Sequence, residues 1–133
     1  MSEAKMRARV IQLLKPLFAF PVENSLRSGS PDVCCVAGWL ELKNAASNRG
    51  GIVHVDLRTT QKLWIKQWRR HGGRVWTLTR VWLGSHIESW YLHDGLWAVE
   101  HLGSITERQM AEGADMSWSG EPSSESLVKA LLT

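Results

Sequence analysis

Two carboxylates and a lysine interrupt a stretch otherwise built for a protein interior. Asp32, Glu41 and Lys43 fall in the run Asp32-Val33-Cys34-Cys35-Val36-Ala37-Gly38-Trp39-Leu40-Glu41-Leu42-Lys43. Charges in such a setting are expensive unless each has a partner, so any fold of this chain must bring partners to them. Val33 to Val36 reads as one buried strand and Trp39 to Lys43 as a second, with Ala37-Gly38 as a tight connection between them, which makes a β-hairpin. Strand alternation sends Glu41 and Lys43 to one face and Leu40 and Leu42 to the other. Asp32 stands at the open end of the first strand, just after Pro31, a residue that cannot donate to a ladder. The hairpin returns Asp32 beside Glu41, forming a small acidic pocket with an ammonium group on its rim.

A bound divalent metal satisfies both carboxylates at once. Phosphodiester hydrolysis needs these parts: a hard cation that neutralises charge on the phosphate and lowers the pKa of a bound water. Asp32 and Glu41 would hold the metal, helped by the backbone carbonyl of Leu42, and Lys43 would orient the attacking water or stabilise the transition state. A bare Glu-x-Lys triplet reads more simply as a salt bridge on a solvated sheet face. The Pro-Asp pair at this spacing, the glycine before it and the apolar strands favour a site instead.

Gly29-Ser30-Pro31-Asp32, then Glu41-Leu42-Lys43, then Gln61 opening a helix, resembles the PD-(D/E)xK nuclease superfamily. Within it the chain is most similar to small stand-alone VRR-NUC nucleases and phage-encoded Holliday-junction-resolvase-like nucleases, over residues 20–81. The resemblance implies an α/β (α+β) fold with a restriction-endonuclease-like core, a mixed central sheet flanked by helices. It also implies a Mg²⁺- or Mn²⁺-dependent DNA endonuclease, homodimeric and selective for branched or Holliday-junction DNA, whose products carry a 5′-phosphate and a 3′-hydroxyl. Such nucleases supply one further acid. Glu23 is the candidate here, because Val22-Glu23-Asn24 looks like the lead-in of many phage versions. Glu3, on the stripe of the first helix where archaeal resolvases carry their acid, is the rival. Gln61 matches the helix glutamine that lies near the metal and touches phosphate or a water; its simpler role is to satisfy backbone groups at a helix start.

A chain of 133 residues fits a single domain, with its core over residues 3–100 and an extension over 101–133. The net charge of +3 and pI near 9.1 are compatible with nucleic acid. The amphipathic N-terminus does not read as a signal peptide, and no apolar run approaches membrane-spanning length. The only cysteines, Cys34 and Cys35, are adjacent in a strand and point to opposite faces, which suits free thiols in a reducing compartment. The expected location is the cytoplasm, that of the host if the chain is phage-encoded.

Met6, Val10, Leu13, Leu14 and Leu17 recur at helical spacing, predicting a helix over 3–15 that Pro16 ends. A short strand or extended lead-in is expected over 22–27. Asn44 to Gly51 is polar and ends in two glycines, so it is expected as a flexible loop beside the site. A helix is expected over 60–71, with Thr59 or Thr60 as N-cap and Gly72-Gly73 as its stop. Gln61, Trp64, Ile65 and Trp68 form its buried stripe. Arg74 to Trp82 reads as a strand parallel to the motif sheet. Asp94-Gly95 is a hairpin signal, predicting a C-terminal β-hairpin flanked by Trp90–Leu92 and Leu96–Val99. A short helix over 103–112, a loose tail over 113–125 and a last helical turn over 126–132 complete the chain.

Candidate DNA contacts are Arg27 and Ser28 beside the Pro-Asp turn, Arg49 in the loop, and Lys62, Lys66 and Arg69 along one helix face. Such a basic stripe is more often only a solvated face. Most of the eight tryptophans are expected in the core, with Trp118 the best exposed candidate for stacking on a base or lining a dimer interface. The histidines show neither triad nor metal spacing; His54 stands apart because it follows the loop. Besides a junction nuclease, the residues allow a phage-type nuclease for host DNA degradation, repair or packaging, or a catalytically silent DNA-binding module.

Overall fold

The computed structural model of the protein describes residues 1–23, 29–48, 50–84 and 87–133. It is a mixed α/β structure: a six-stranded mixed sheet covered on both faces, with five α-helices among the described residues.

Helix α1 (Glu3–Leu13) starts at Ser2, whose side chain accepts from the Lys5 N–H, and buries Met6 and Val10. A 3₁₀ turn containing Pro16 follows it (Lys15–Leu17). Strands β1 (Phe20–Pro21), β2 (Val33–Cys35) and β3 (Gly38–Ala46) run antiparallel in turn, with Val33 opposite Leu40 and Cys35 opposite Gly38. Strand β4 (Ile52–His54) then leaves the main sheet. Helix α2 (Thr59–Arg70) crosses over to β5 (Val75–Leu83), which pairs parallel to β3 as the sequence predicts. Strand β6 (Ile87–Asp94) pairs antiparallel with β5. Helix α3 (Gly95–His101), strand β7 (Ser104–Thr106) and helix α4 (Glu107–Gly113) lead to strand β8 (Met116–Ser119) at the sheet edge beside β6, and α5 (Ser124–Leu132) ends the chain.

The sheet order is β1-β2-β3-β5-β6-β8, while β4 and β7 form a separate two-stranded ribbon. Leu40, Leu42, Trp76, Leu78, Trp90 and Leu92 pack with residues of α1 and α5 on one face. The other face meets α2, α3, α4 and the ribbon through Ile65, Val75, Ala98, Met110, Val53 and Ile105. Among the described residues no helix is long and apolar enough to cross a membrane.

Five expectations are corrected. The motif hairpin turns at Val36-Ala37 rather than at Ala37-Gly38: Val36 is 73% exposed and Gly38 opens β3 opposite Cys35, which sets Asp32 on the rung of Glu41 rather than of Lys43. The C-terminal hairpin at Asp94-Gly95 does not form. The Asp94 side chain instead accepts from the Leu96 N–H and caps α3. Gly95 is pressed against Ile65 and the Val75 carbonyl, and it lacks the positive φ that a tight hairpin turn requires. Asn44 to Ala46 are not loop: they extend β3, because β5 runs on beside them as far as the pair Ala46 and Trp82. The polar Asn44 is satisfied there by Arg80, which donates to its side-chain oxygen at 2.9 Å. The tail over 113–125 contains β8. Helix α2 begins after Arg58 rather than at a threonine cap, with Gln61 closing its first turn by accepting from the Arg58 N–H. Of the lead-in expected over 22–27, residues 24–27 lie outside the described residues, and the Val22 N–H donates to the Asp32 carbonyl.

Candidate active site

The turn that delivers Asp32 is fixed by a glycine. Gly29 has φ +83°, and a Cβ there would fall 2.2 Å from the carbonyl oxygen of Thr60. Only glycine lets this backbone lie against the first turn of α2. Ser30 and Pro31 are buried behind it. Continuing the β2–β3 register by one rung sets Asp32 opposite Glu41, and Asp32 Oδ2 accepts from the Leu42 N–H at 2.9 Å.

Glu41 lies on an interior strand and is only 2% exposed. Gln61, one turn into α2, donates from Nε2 to both Glu41 oxygens at 3.2 Å. The Gln61 oxygen accepts from Lys43 Nζ at 3.1 Å and from the Arg58 N–H at 2.9 Å. With two donors converging on the oxygen and two acceptors on the nitrogen side, the network fixes which way the amide points. Burial raises the Glu41 pKa to about 9, reinforced by the negative charge of Asp32 and by a hydrogen bond to it, and opposed by Lys43 and Arg58. Burial and the neighbouring carboxylate thus favour the protonated form of Glu41 at neutral pH.

These groups form the floor of an open cleft of about 470 Å³. Its second wall is the segment from β4 to α2. Val53, Val55 and Leu57 are buried while His54, Asp56 and Arg58 alternate with them and face out, all three lining the cleft. Glu3, Met6 and Arg7 of α1 close a third side.

Asp32, Glu41, Lys43 and Gln61 are thus brought together as the sequence predicts, and Leu42 borders the same cleft. Glu23 is exposed and is not among the described residues lining it, whereas Glu3 is. Arg27, Ser28 and Arg49 lie outside the described residues. Lys62 is half-buried and Lys66 exposed, but Arg69 does not join a free basic stripe. Its guanidinium bonds to Asp94 Oδ2 at 3.1 Å and to the Gly73 carbonyl, tying the end of α2 to the cap of α3. Trp118 is no exposed platform either. It is half-buried, lies opposite Trp90 across β6 and β8, and donates to Ser126 Oγ at 2.8 Å. Asp56, Arg58 and Arg7 were missed in the sequence reading. The strict alternation of apolar and polar residues over 53–58 was the signal for the first two.

No protein-family model matches the chain, and no curated protein matches it. The geometry therefore carries the functional reading. Among the described residues no group of three or more His, Cys, Asp and Glu is placed to hold a metal ion. The site has a carboxylate pair, a lysine tethered through an amide, and two arginines on the surrounding walls.

Proposed function

We propose that the chain is a Mg²⁺- or Mn²⁺-dependent DNA endonuclease with the restriction-endonuclease-like core of the PD-(D/E)xK nucleases. The observation that carries this reading is the confrontation of Glu41 with Asp32 at the floor of an open cleft. A buried carboxylate is ordinarily paired with a cation. Here its strongest charged influence, Asp32, has the same sign, and together with burial it favours the protonated form of Glu41. The oxygens of the two acids suit a hard cation, which takes oxygen ligands and keeps several waters.

Asp32 and Glu41 would hold the ion, with the Leu42 backbone at the same edge. When bound, it supplies charge neutralisation at the phosphate and a water of lowered pKa. Gln61 keeps the Lys43 ammonium at the cleft, where it orients the attacking water and stabilises negative charge on the phosphate. Arg7 and Arg58 line the same cleft and supply fixed positive charge for the non-bridging or neighbouring phosphate oxygens. The basic net charge of +3 fits a polyanionic substrate. By resemblance the substrate is branched DNA, cut by a homodimer whose two sites address two strands.

The test is incubation of the purified protein with Mg²⁺ and either a four-way junction or a linear duplex. Cleavage is expected, with the junction cut faster, and loss of cleavage in Asp32→Ala and Lys43→Ala. Variants that cut like wild type would sink the assignment, and equal rates on the two DNAs would remove the junction preference.

A further inference from the structure

The cleft that holds the carboxylates is also lined by a group that the metal-site residues leave unused. His54 is paired with Ser104 across the β4–β7 ribbon. Its neighbours Val53 and Val55 are anchored in the core, which turns the imidazole into the cleft. Nδ1 lies 3.1 Å from Ser104 Oγ, the only hydrogen-bond partner of the ring among the described residues. The ring is therefore oriented through one nitrogen, leaving Nε2 for a substrate. The charged groups sharing the cleft with it are Lys43 and Glu41 of β3, Asp32 before β2, Glu3 and Arg7 of α1, and Asp56 and Arg58 on its own wall.

Cleavage to a 5′-phosphate and a 3′-hydroxyl requires a proton for the departing 3′-oxygen. The arginines do not release theirs near neutrality. Lys43 is held on Gln61 and committed to the attacking side. Asp32 and Glu41 would be occupied as ligands, and a carboxyl group of ordinary acidity is a poor proton donor near neutrality. Imidazole is the side chain suited to giving and regaining a proton there.

Building on the nuclease reading, we propose that His54 is a further catalytic residue, the general acid that protonates the leaving 3′-oxygen. As the water oxygen bonds to phosphorus, the P–O3′ bond breaks and its electron pair stays on O3′. That oxygen takes the Nε2 proton of the His54 imidazolium. The attacking water loses one proton to solvent through the open cleft, and His54 regains one from solvent, so the cycle balances. Ser104 is a positioning residue in this scheme.

The test compares wild type, His54→Ala and His54→Gln on two versions of the DNA that wild type cuts. One has an ordinary phosphodiester; the other has a 3′-bridging sulfur at the scissile position, which departs as a thiolate with little need of a proton. Both variants should cut the ordinary DNA about 100-fold more slowly or worse, with the high-pH fall in rate of the wild type gone, yet cut the sulfur-bridged DNA within about fivefold of wild type. An unchanged rate on ordinary DNA, or equal losses on the two substrates, would overturn the assignment. In the metal-free protein, the His54 ring resonances should move when that DNA is added; resonances that stay put would place the ring off the substrate path and overturn it as well. Wild-type protein that cuts neither DNA would instead bring down the nuclease reading, and this inference with it.

Discussion

Replacing Glu41 with glutamine should stabilise the metal-free protein at alkaline pH while abolishing cleavage. The carboxyl has a folded pKa of about 9 against a reference value of 4.5. A raised folded pKa means that the folded state binds the proton more tightly, so the stabilisation is complete below pH 4.5 and fades as pH rises toward 9. Each unit of that interval is about 1.4 kcal/mol, so between about pH 5 and about pH 8 the wild type loses roughly 4 kcal/mol. Glutamine imitates the protonated acid: its oxygen keeps one of the two bonds from Gln61 Nε2, the other is given up, and its amide N–H donates to Asp32. It carries no proton to lose. The variant should match the wild type at about pH 5 and exceed it by roughly 3–4 kcal/mol at about pH 8, or more than about 10 °C in Tm. Urea unfolding in chelator across that pH range measures it. The outcome that would refute the reasoning is a variant less stable than wild type at pH 8, the behaviour of a carboxylate whose main partner is Lys43. A difference independent of pH would refute it equally.

The same proton should appear when metal binds. Calorimetric titration of Mn²⁺ at about pH 7.5, repeated in buffers of different ionisation enthalpy, should report release of close to one proton per site, and none in Glu41→Gln. Gly29→Ala should cost more than about 2 kcal/mol, since both the positive φ and the approach to Thr60 oppose a side chain; denaturant melts with unchanged stability would contradict the description of that turn. Lys66→Ala should leave stability within about 0.5 kcal/mol of wild type and reduce the salt dependence of DNA binding by about one counterion. Arg69→Ala should instead lower Tm by breaking its contacts to Asp94 and Gly73.

Much of the site was legible because strand periodicity and a two-residue turn determine which side chains share a face. Alternation put Asp32, Glu41 and Lys43 on one face, and the helix stripe turned Gln61 toward the sheet; the rung was not legible, because a turn at Ala37-Gly38 would set Asp32 opposite Lys43, and the turn at Val36-Ala37 sets it opposite Glu41. What failed were places where one local signal serves two structures. Asp-Gly suits a tight hairpin turn, and Asp also caps a helix. Between these uses Ile65 and Val75, distant in sequence, decide by crowding Gly95. Asn44 and its alanine neighbours have weak strand preference, but pairing with β5 and the bond from Arg80 override it. Met116 to Ser119 is short and polar enough to pass for tail, and becomes a strand by adding to the edge of β6.

The arrangement around Gln61 separates a site from a structural ion pair. If Glu41 and Lys43 served only stability, the direct solution would be a salt bridge between neighbours on one strand face. Among the described residues no such pair joins them. An amide stands between, receiving a hydrogen bond from Lys43 and giving hydrogen bonds to Glu41. Both groups are thereby held in place without forming a direct ion pair. Lys43 keeps its ammonium at the cleft, and Glu41 keeps its oxygens beside Asp32. A buried acid left facing another acid lowers the stability of the metal-free protein, the kind of penalty that marks a candidate site. The helix that carries Gln61 is fixed at its first turn by the same amide through the Arg58 N–H. One side chain thus couples the start of α2, the lysine and the carboxylate pair, and an ion bound at Asp32 and Glu41 would act on all three.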